Sequence, residues 1–295
     1  MSPIKIISTS KYLQGIPVIS HQSTPSNTTV SSVPTNMEKF LEEGGFVLTQ
    51  PNGYKMSKQA FVSKRPRSGY PGCIKQIFLH HTATRRNVSN KSIVDIFNKR
   101  ATPGKSKGST HCSIQEDGQI ERLFGEEFRA HAQGVSGKNF NTIGMSVEIV
   151  ALGYLLDDPV TDDTGQVYYQ QKTTHAKKYW VKAENVAKAV DFNGQEKAYR
   201  GKLYWEKYTP AQVNSTVKLV REWCTRYKIP FVFNQSAFDE MFPPSGKTSK
   251  KAFAYEKGVY SHNSVVTGKK DIYPDPLLVT TFKKEFGPGN SVAKF

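Results

Sequence analysis

Apolar and polar positions fall into a few legible stretches of this chain. Ile77-Phe78-Leu79 is an unbroken apolar run that ends in His80-His81-Thr82-Ala83-Thr84, the pattern of a buried strand delivering an imidazole into a cleft. Ser89 to Arg100 carries Ile93, Val94, Ile96 and Phe97 at helical spacing, with Ser and Asn available as caps. Gly104 to Gly108 follows as a basic loop. From Thr110 to Phe124 apolar positions alternate on either side of Glu116-Asp117-Gly118, which predicts a hairpin. Thr142 to Ala151 is nearly continuous in apolar residues except for Ser146 and Glu148, and side-chain alternation puts those two on one face of a strand. Thr209-Pro210 opens the strongest helix, because Thr caps and Pro suits the first turn. Val213, Val217, Val220 and Cys224 form its apolar stripe, which ends before Ile229-Pro230. A short strand at Phe231-Val232-Phe233, a basic loop over Gly246 to Lys251 and a segment around His262 complete the pattern. Strands alternating with helices predict an α/β fold, a mixed central sheet flanked by helices with its sites at strand ends.

Two regions lack such a pattern. Residues 1 to about 36 are rich in Ser, Thr, Pro and Asn, and a segment of that composition cannot bury enough apolar surface to offset its ordering entropy. A short helix is expected from Asn36 to Phe46, closed by Gly44-Gly45, and then a linker without sustained period to about Gly72. These boundaries divide the chain into an N-terminal arm and linker, 1–67, expected to dock on a partner, and one domain, 68–295. Within the domain, 156 to about 206 reads as an insertion without an assignable role.

Composition narrows the class. The 295 residues, 37% of them apolar and 12% aromatic, suffice for a substantial core without staples. Three widely spaced cysteines, Cys73, Cys112 and Cys224, argue against a disulfide framework and are expected to be reduced and mostly buried. No apolar run is long enough to span a bilayer, and the N-terminus lacks the features of a secretory signal, so synthesis in a cytoplasm is expected. A formal net charge of +16 implies a polyanionic partner: nucleic acid, an anionic membrane or a bacterial envelope rich in carboxylates and phosphates.

Chemistry enters through His80, His262 in Ser261-His262-Asn263, and Asp271 in Lys269-Lys270-Asp271. Two histidines and a carboxylate on one metal leave a position for water, the composition of a hydrolytic zinc centre. Each histidine alone is weak evidence, and His81 reads as a neighbour of the site. The order of motifs says more. Phe78-Leu79-His80-His81-Thr82-Ala83-Thr84, Thr110-His111-Cys112 with Asp117-Gly118, Ala130-His131-Ala132, Asn141-Thr142-Ile143-Gly144 and Ser261-His262 with Lys269-Lys270-Asp271 resemble, in that order, the type-2 N-acetylmuramoyl-L-alanine amidases. That family includes bacteriophage endolysins and peptidoglycan recognition proteins. The resemblance covers roughly Cys73 to Pro276.

The resemblance implies a Zn2+ ion held by His80, His262 and Asp271, with Lys269 assisting catalysis. Asp275-Pro276 offers a second fit to the third ligand. The usual position of the family's catalytic Glu holds Ser146 here, and Glu148, two residues on and on the same face, is the expected general base. The tyrosine used in the endolysin branch is replaced by Thr110, which cannot fill that role. His111 and His131 match positions that are structural or substrate-facing. The implied reaction is hydrolysis of the bond joining N-acetylmuramic acid to L-alanine of the peptidoglycan stem peptide, by a phage-type wall lysin, free or borne on a virion. Two rival readings stand beside it: an inactive peptidoglycan-binding module, and a structural component of a phage tail or injection assembly. Nucleic-acid binding has no supporting motif.

Overall fold

A computed structural model gives the fold, and the structure describes residues 46–49, 55–57, 62–64, 72–84, 108–290 except 124, 136–137 and 173–177, and residue 292. The helix expected over Ser89 to Arg100, most of the basic loop after Gly104 and nearly all of the arm lie outside the described residues. Three short strands, β1 (Phe46–Thr49), β2 (Lys55–Ser57) and β3 (Val62–Lys64), occupy the stretch read as linker. β1 and β2 pair with each other, whereas β3 pairs with β7 (Phe128–Arg129) of the domain.

The central sheet uses β4 (Gln76–His81), the hairpin strands β5 (Cys112–Ile114) and β6 (Ile120–Arg122), β8 (Gly144–Ile149) and β14 (Gly258–Ser261). Its order is β14-β4-β8-β5-β6, parallel throughout except for the antiparallel edge strand β6, so the sheet is mixed. The hairpin turns at Gly118, whose φ of +82° places it in the left-handed region. A one-turn helix, α1 (Phe140–Ile143), precedes β8, so the strand read from Thr142 begins at Gly144.

Alternation splits the sheet into two faces. Ile77 and Leu79 join Met145, Val147, Cys112, Ile114 and Val259 in the larger core. Two long helices contribute to that core, α2 (Pro210–Arg226) and α5 (Pro276–Phe286), together with Phe238 and Met241 of a shorter one. Phe78, on the other face, packs with Phe140, Ala252, Tyr260 and Val265. His80 and His81 therefore project to opposite sides of β4.

Helix α2 begins with a capping box between Thr209 and Gln212, with Pro210 at the start, and buries Val213, Val217, Val220 and Cys224 as its stripe predicts. Phe231-Val232-Phe233 does not form the expected strand. Its only bridge is Phe231 with Val292, because no neighbouring strand offers it a ladder among the described residues. Helices α3 (Gln235–Met241) and α4 (Lys250–Phe253) follow, both capped by side chains, the latter starting inside the stretch read as a basic loop, Gly246 to Lys251, and running past it.

The inserted region is mostly β. It holds an antiparallel sheet of β9 (Val160–Thr161), β10 (Val167–Lys172) and β11 (Lys178–Lys182), then the ribbon of β12 (Val186–Lys188) and β13 (Tyr204–Glu206). Its end is core rather than appendage: Trp205 is fully buried and stacks on Tyr273 with ring centroids 4.7 Å apart.

Candidate active site

His80 is the last residue but one of β4, β14 ends just before His262, and parallel pairing of the two strands brings both imidazoles to the same end of the sheet. Nδ1 of His80 lies 3.1 Å from Nδ1 of His262. The Oδ2 atom of Asp271 lies 2.7 Å from the His262 nitrogen and 3.3 Å from that of His80. The carboxylate is fixed from behind, since its Oδ1 accepts the backbone N–H of His81 at 2.7 Å. Asn263 clamps the same residue, accepting the Asp271 N–H at 3.1 Å while donating to the Ile272 carbonyl at 2.7 Å.

The imidazole of His262 is oriented by its far side. Its Nε2 faces the carbonyl of Gln133 at 3.1 Å, and a carbonyl only accepts, so Nε2 carries the proton and Nδ1 turns a lone pair inward. Burial outweighs the Asp271 hydrogen bond and pulls the His262 pKa down to about 4, which keeps the ring neutral near pH 7. At His80 burial also lowers the pKa, but the Asp271 hydrogen bond and the charges of Glu148 and Asp271 overcome it and raise the value. Burial would raise the Asp271 pKa, but the imidazoles of His262, His80 and His81 beside the carboxylate outweigh it and hold the value well below the usual carboxylate range.

Two imidazole nitrogens and one carboxylate oxygen within 4.8 Å of one another can hold a metal ion. A tetrahedral ion with bonds of about 2.0–2.1 Å sets its ligands about 3.3 Å apart, close to two of the three separations here. The nitrogen and oxygen donor set is one zinc accepts, so the residues present fit that ion.

Glu148 is the strand neighbour of His80: the two are Cα partners in the regular parallel pairing of β4 and β8, and their side chains share a face. No bulge is needed to bring it there. Lys269 is exposed, and its charge works to lower the pKa of His80, His81 and His262.

Other residues singled out from the sequence are placed differently. His111 is buried, its Nε2 facing the Phe128 carbonyl at 3.1 Å and its Nδ1 accepting the backbone N–H of Ser146 at 3.1 Å. Both ring nitrogens are thus engaged inside the protein. Thr110 donates to the Ser146 hydroxyl at 3.2 Å, which locks both into the same interior network. His131 is half-buried on the loop leading to Gln133, its backbone N–H donating to Ser109 Oγ at 2.8 Å. His81, on the opposite face, approaches the Tyr208 hydroxyl at 3.4 Å. Asp275 lies outside the cluster: it caps α5, accepting the N–H groups of Leu277 and Leu278 at 2.9 and 3.1 Å. Its second oxygen takes the Tyr273 hydroxyl at 2.5 Å. Sequence reasoning missed Gln133 and Asn263. The first acts through its main chain and leaves no side-chain signature, whereas Asn263, next to His262, carried a readable one.

The sequence model of the N-acetylmuramoyl-L-alanine amidase family matches residues 69–274, and the chain belongs to that family. Among solved structures, the N-acetylmuramoyl-L-alanine amidase LysC from Clostridium intestinale URNW is similar at 16% identity, covering 76% of this chain and 92% of that one with a TM-score of 0.37. AmpDh3 from Pseudomonas aeruginosa, solved in complex with an anhydromuramic pentapeptide, is 16% identical over 70% of this chain and 57% of its own, with a TM-score of 0.34. Drosophila peptidoglycan recognition protein SA is 11% identical over 75% and 82% of the two chains, with a TM-score of 0.35. Compared with curated proteins by sequence, the chain has no significant match. Among the described residues no helix is long and apolar enough to cross a membrane.

Proposed function

We propose that this chain is a zinc-dependent N-acetylmuramoyl-L-alanine amidase that hydrolyses the bond between N-acetylmuramic acid and the L-alanine of the stem peptide. One observation carries the reading within the family: His80 Nδ1, His262 Nδ1 and Asp271 Oδ2 converge on one spot beside Glu148. His80, His262 and Asp271 would hold a zinc ion, which would supply Lewis acidity for activating water and polarising an amide carbonyl. Glu148, on the same sheet face, takes a proton from the attacking water and returns it to the departing amine. Lys269 supplies positive charge to the oxyanion that develops on the carbonyl. Asp271 is held by His81 and Asn263, and His262 by Gln133, with their donor atoms already turned toward that spot. A net charge of +16 suits adhesion to an anionic cell wall.

Metal analysis of the purified chain, combined with release of stem peptide from purified wall, tests the proposal. One equivalent of zinc and metal-dependent release are expected. A chain that takes up no zinc refutes it, and zinc without hydrolysis moves the protein to the class of peptidoglycan-binding modules. The same proposal extends to a phage-type lysin in which residues 1–67 dock on a virion partner, a reading supported by the composition of that arm.

A further inference from the structure

Between His262 and Asp271 the chain makes a loop with little hydrogen bonding of its own: Val265 and Val266 return to the His262 carbonyl at 3.1 Å, and Lys269 reaches Val266 at 3.4 Å. Four of its carbonyls are collected by a single side chain from the inserted region, while that of Ser264 accepts the Ser249 N–H at 2.7 Å. The guanidinium of Arg200 donates to the carbonyls of Asn263 at 2.9 Å, Val266 at 3.3 Å, Thr267 at 2.7 Å and Lys269 at 2.8 Å. It also donates to Pro243 and Lys247, both at 3.1 Å, in the turn that runs alongside. A planar fork of five donors can bridge two backbone segments in this way, which the single ammonium of lysine cannot.

The inserted region is shaped to present this residue. Tyr199 and Lys202 exchange backbone hydrogen bonds at 2.8 and 2.9 Å, and the two residues between them have positive φ, Arg200 at +49° and Gly201 at +75°. That is the geometry of a two-residue hairpin turn, in which a residue other than Asn, Asp or Gly at the first central position is disfavoured. The turn nevertheless holds an arginine there, 6% exposed, with its charge buried against carbonyls. A disfavoured backbone conformation maintained at a site by its surroundings is a mark of function rather than of chance.

We propose that Arg200 is the positioning residue of the metal centre: by gathering the loop between His262 and Asp271 it sets the spacing of those two side chains and the place of Lys269. The 156–206 region, on this assignment, completes the site. The proposal rests on the zinc amidase reading above and adds a residue to it that contacts neither metal nor substrate.

Zinc affinity of the metal-free chain, measured by competition with a chromogenic chelator, tests it without recourse to activity. Arg200→Lys should weaken zinc binding by about 10–100-fold, the range for losing a group that orients ligands from behind. Gly201→Ala keeps the guanidinium but strains the turn, since a Cβ there meets open space and only the positive φ opposes it. It should cause a smaller loss, and it decides the question if Arg200→Lys does not fold. Glu126→Gln is the control for general loosening, because Glu126 ties Arg122 of β6 to α2, at the sheet edge away from β14. Its zinc affinity should match that of the parent chain. Unchanged affinity in a folded Arg200→Lys, or equal losses in Arg200→Lys and Glu126→Gln, overturns the assignment while leaving the zinc reading intact. A parent chain that binds no zinc overturns both.

Discussion

Glu148 shows what a single side chain contributes here. It lies beside His80 in the ladder, within electrostatic reach of that imidazole, and on the face that carries the cluster rather than the larger core. Glu148→Gln keeps the shape and removes the proposed base, so zinc and fold should persist while turnover falls by about two to four orders of magnitude. Near-normal turnover with metal bound would assign the role elsewhere. The two aspartates separate just as cleanly. Asp271→Ala should release zinc, since it removes one of three donors. Asp275→Ala should keep zinc and lose about 1–2 kcal/mol of stability, because it removes the cap of α5 and the acceptor for Tyr273. Paired metal analysis and urea unfolding of the two variants check this, and zinc loss in the second would reverse the assignment. His80, His262 and Asp271 were legible because their residue types and order carry chemistry. The carbonyl of Gln133 and the backbone N–H of His81 were not, because every residue has those groups and only the fold selects which are used.

Elements were legible where one face is apolar and the ends are marked. β4, the Gly118 hairpin and α2 satisfy both conditions, whereas Phe231 and Phe233 alternate correctly around an exposed Val232 yet find no strand to pair with among the described residues. Helix α5 went unread although Asp275-Pro276 opens it with the same cap-and-proline signal as Thr209-Pro210, since that pair also fits a metal motif. Between elements, Glu126 joins the β6 edge to α2, accepting from Arg122 at 2.9 Å, Trp223 at 2.9 Å and Arg226 at 2.7 Å, and from Tyr227. Burial alone would raise its pKa, but the Tyr227 hydrogen bond and the charge of Arg226 lead the contributions that lower it. A folded pKa below the unfolded one means stability that is present above the unfolded value, about 4.3, and lost as pH falls through the folded value. Glu126→Gln should therefore cost about 1–3 kcal/mol at pH 7, and the difference should shrink once pH falls below the depressed value. Urea unfolding at neutral and at acid pH measures both. A gap that is equally wide in acid would show that lost packing, not charge, was responsible.

At the scale of the whole molecule the question is where the working unit begins. Composition places the start near residue 68, but β3, at Val62–Lys64, is hydrogen-bonded to β7 at Phe128–Arg129. β7 leads within a few residues to Gln133, whose carbonyl orients His262. A strand assigned to the linker is thus two steps from the candidate metal site, a connection that no periodicity reveals because three residues are too few to show a period. Two truncations are expected to differ for this reason. Removing residues 1–45 leaves β1, β2 and β3 in place, and wall hydrolysis and zinc affinity should match the full chain, with any loss confined to docking on a partner. Removing residues 1–67 strips the edge from β7 and frees the loop that carries Gln133, so thermal stability and zinc affinity should both fall. Melting curves and chelator competition on the two truncated chains decide between them. If the shorter chain binds zinc as tightly as the longer one, β3 is a bystander and the domain does begin where composition places it.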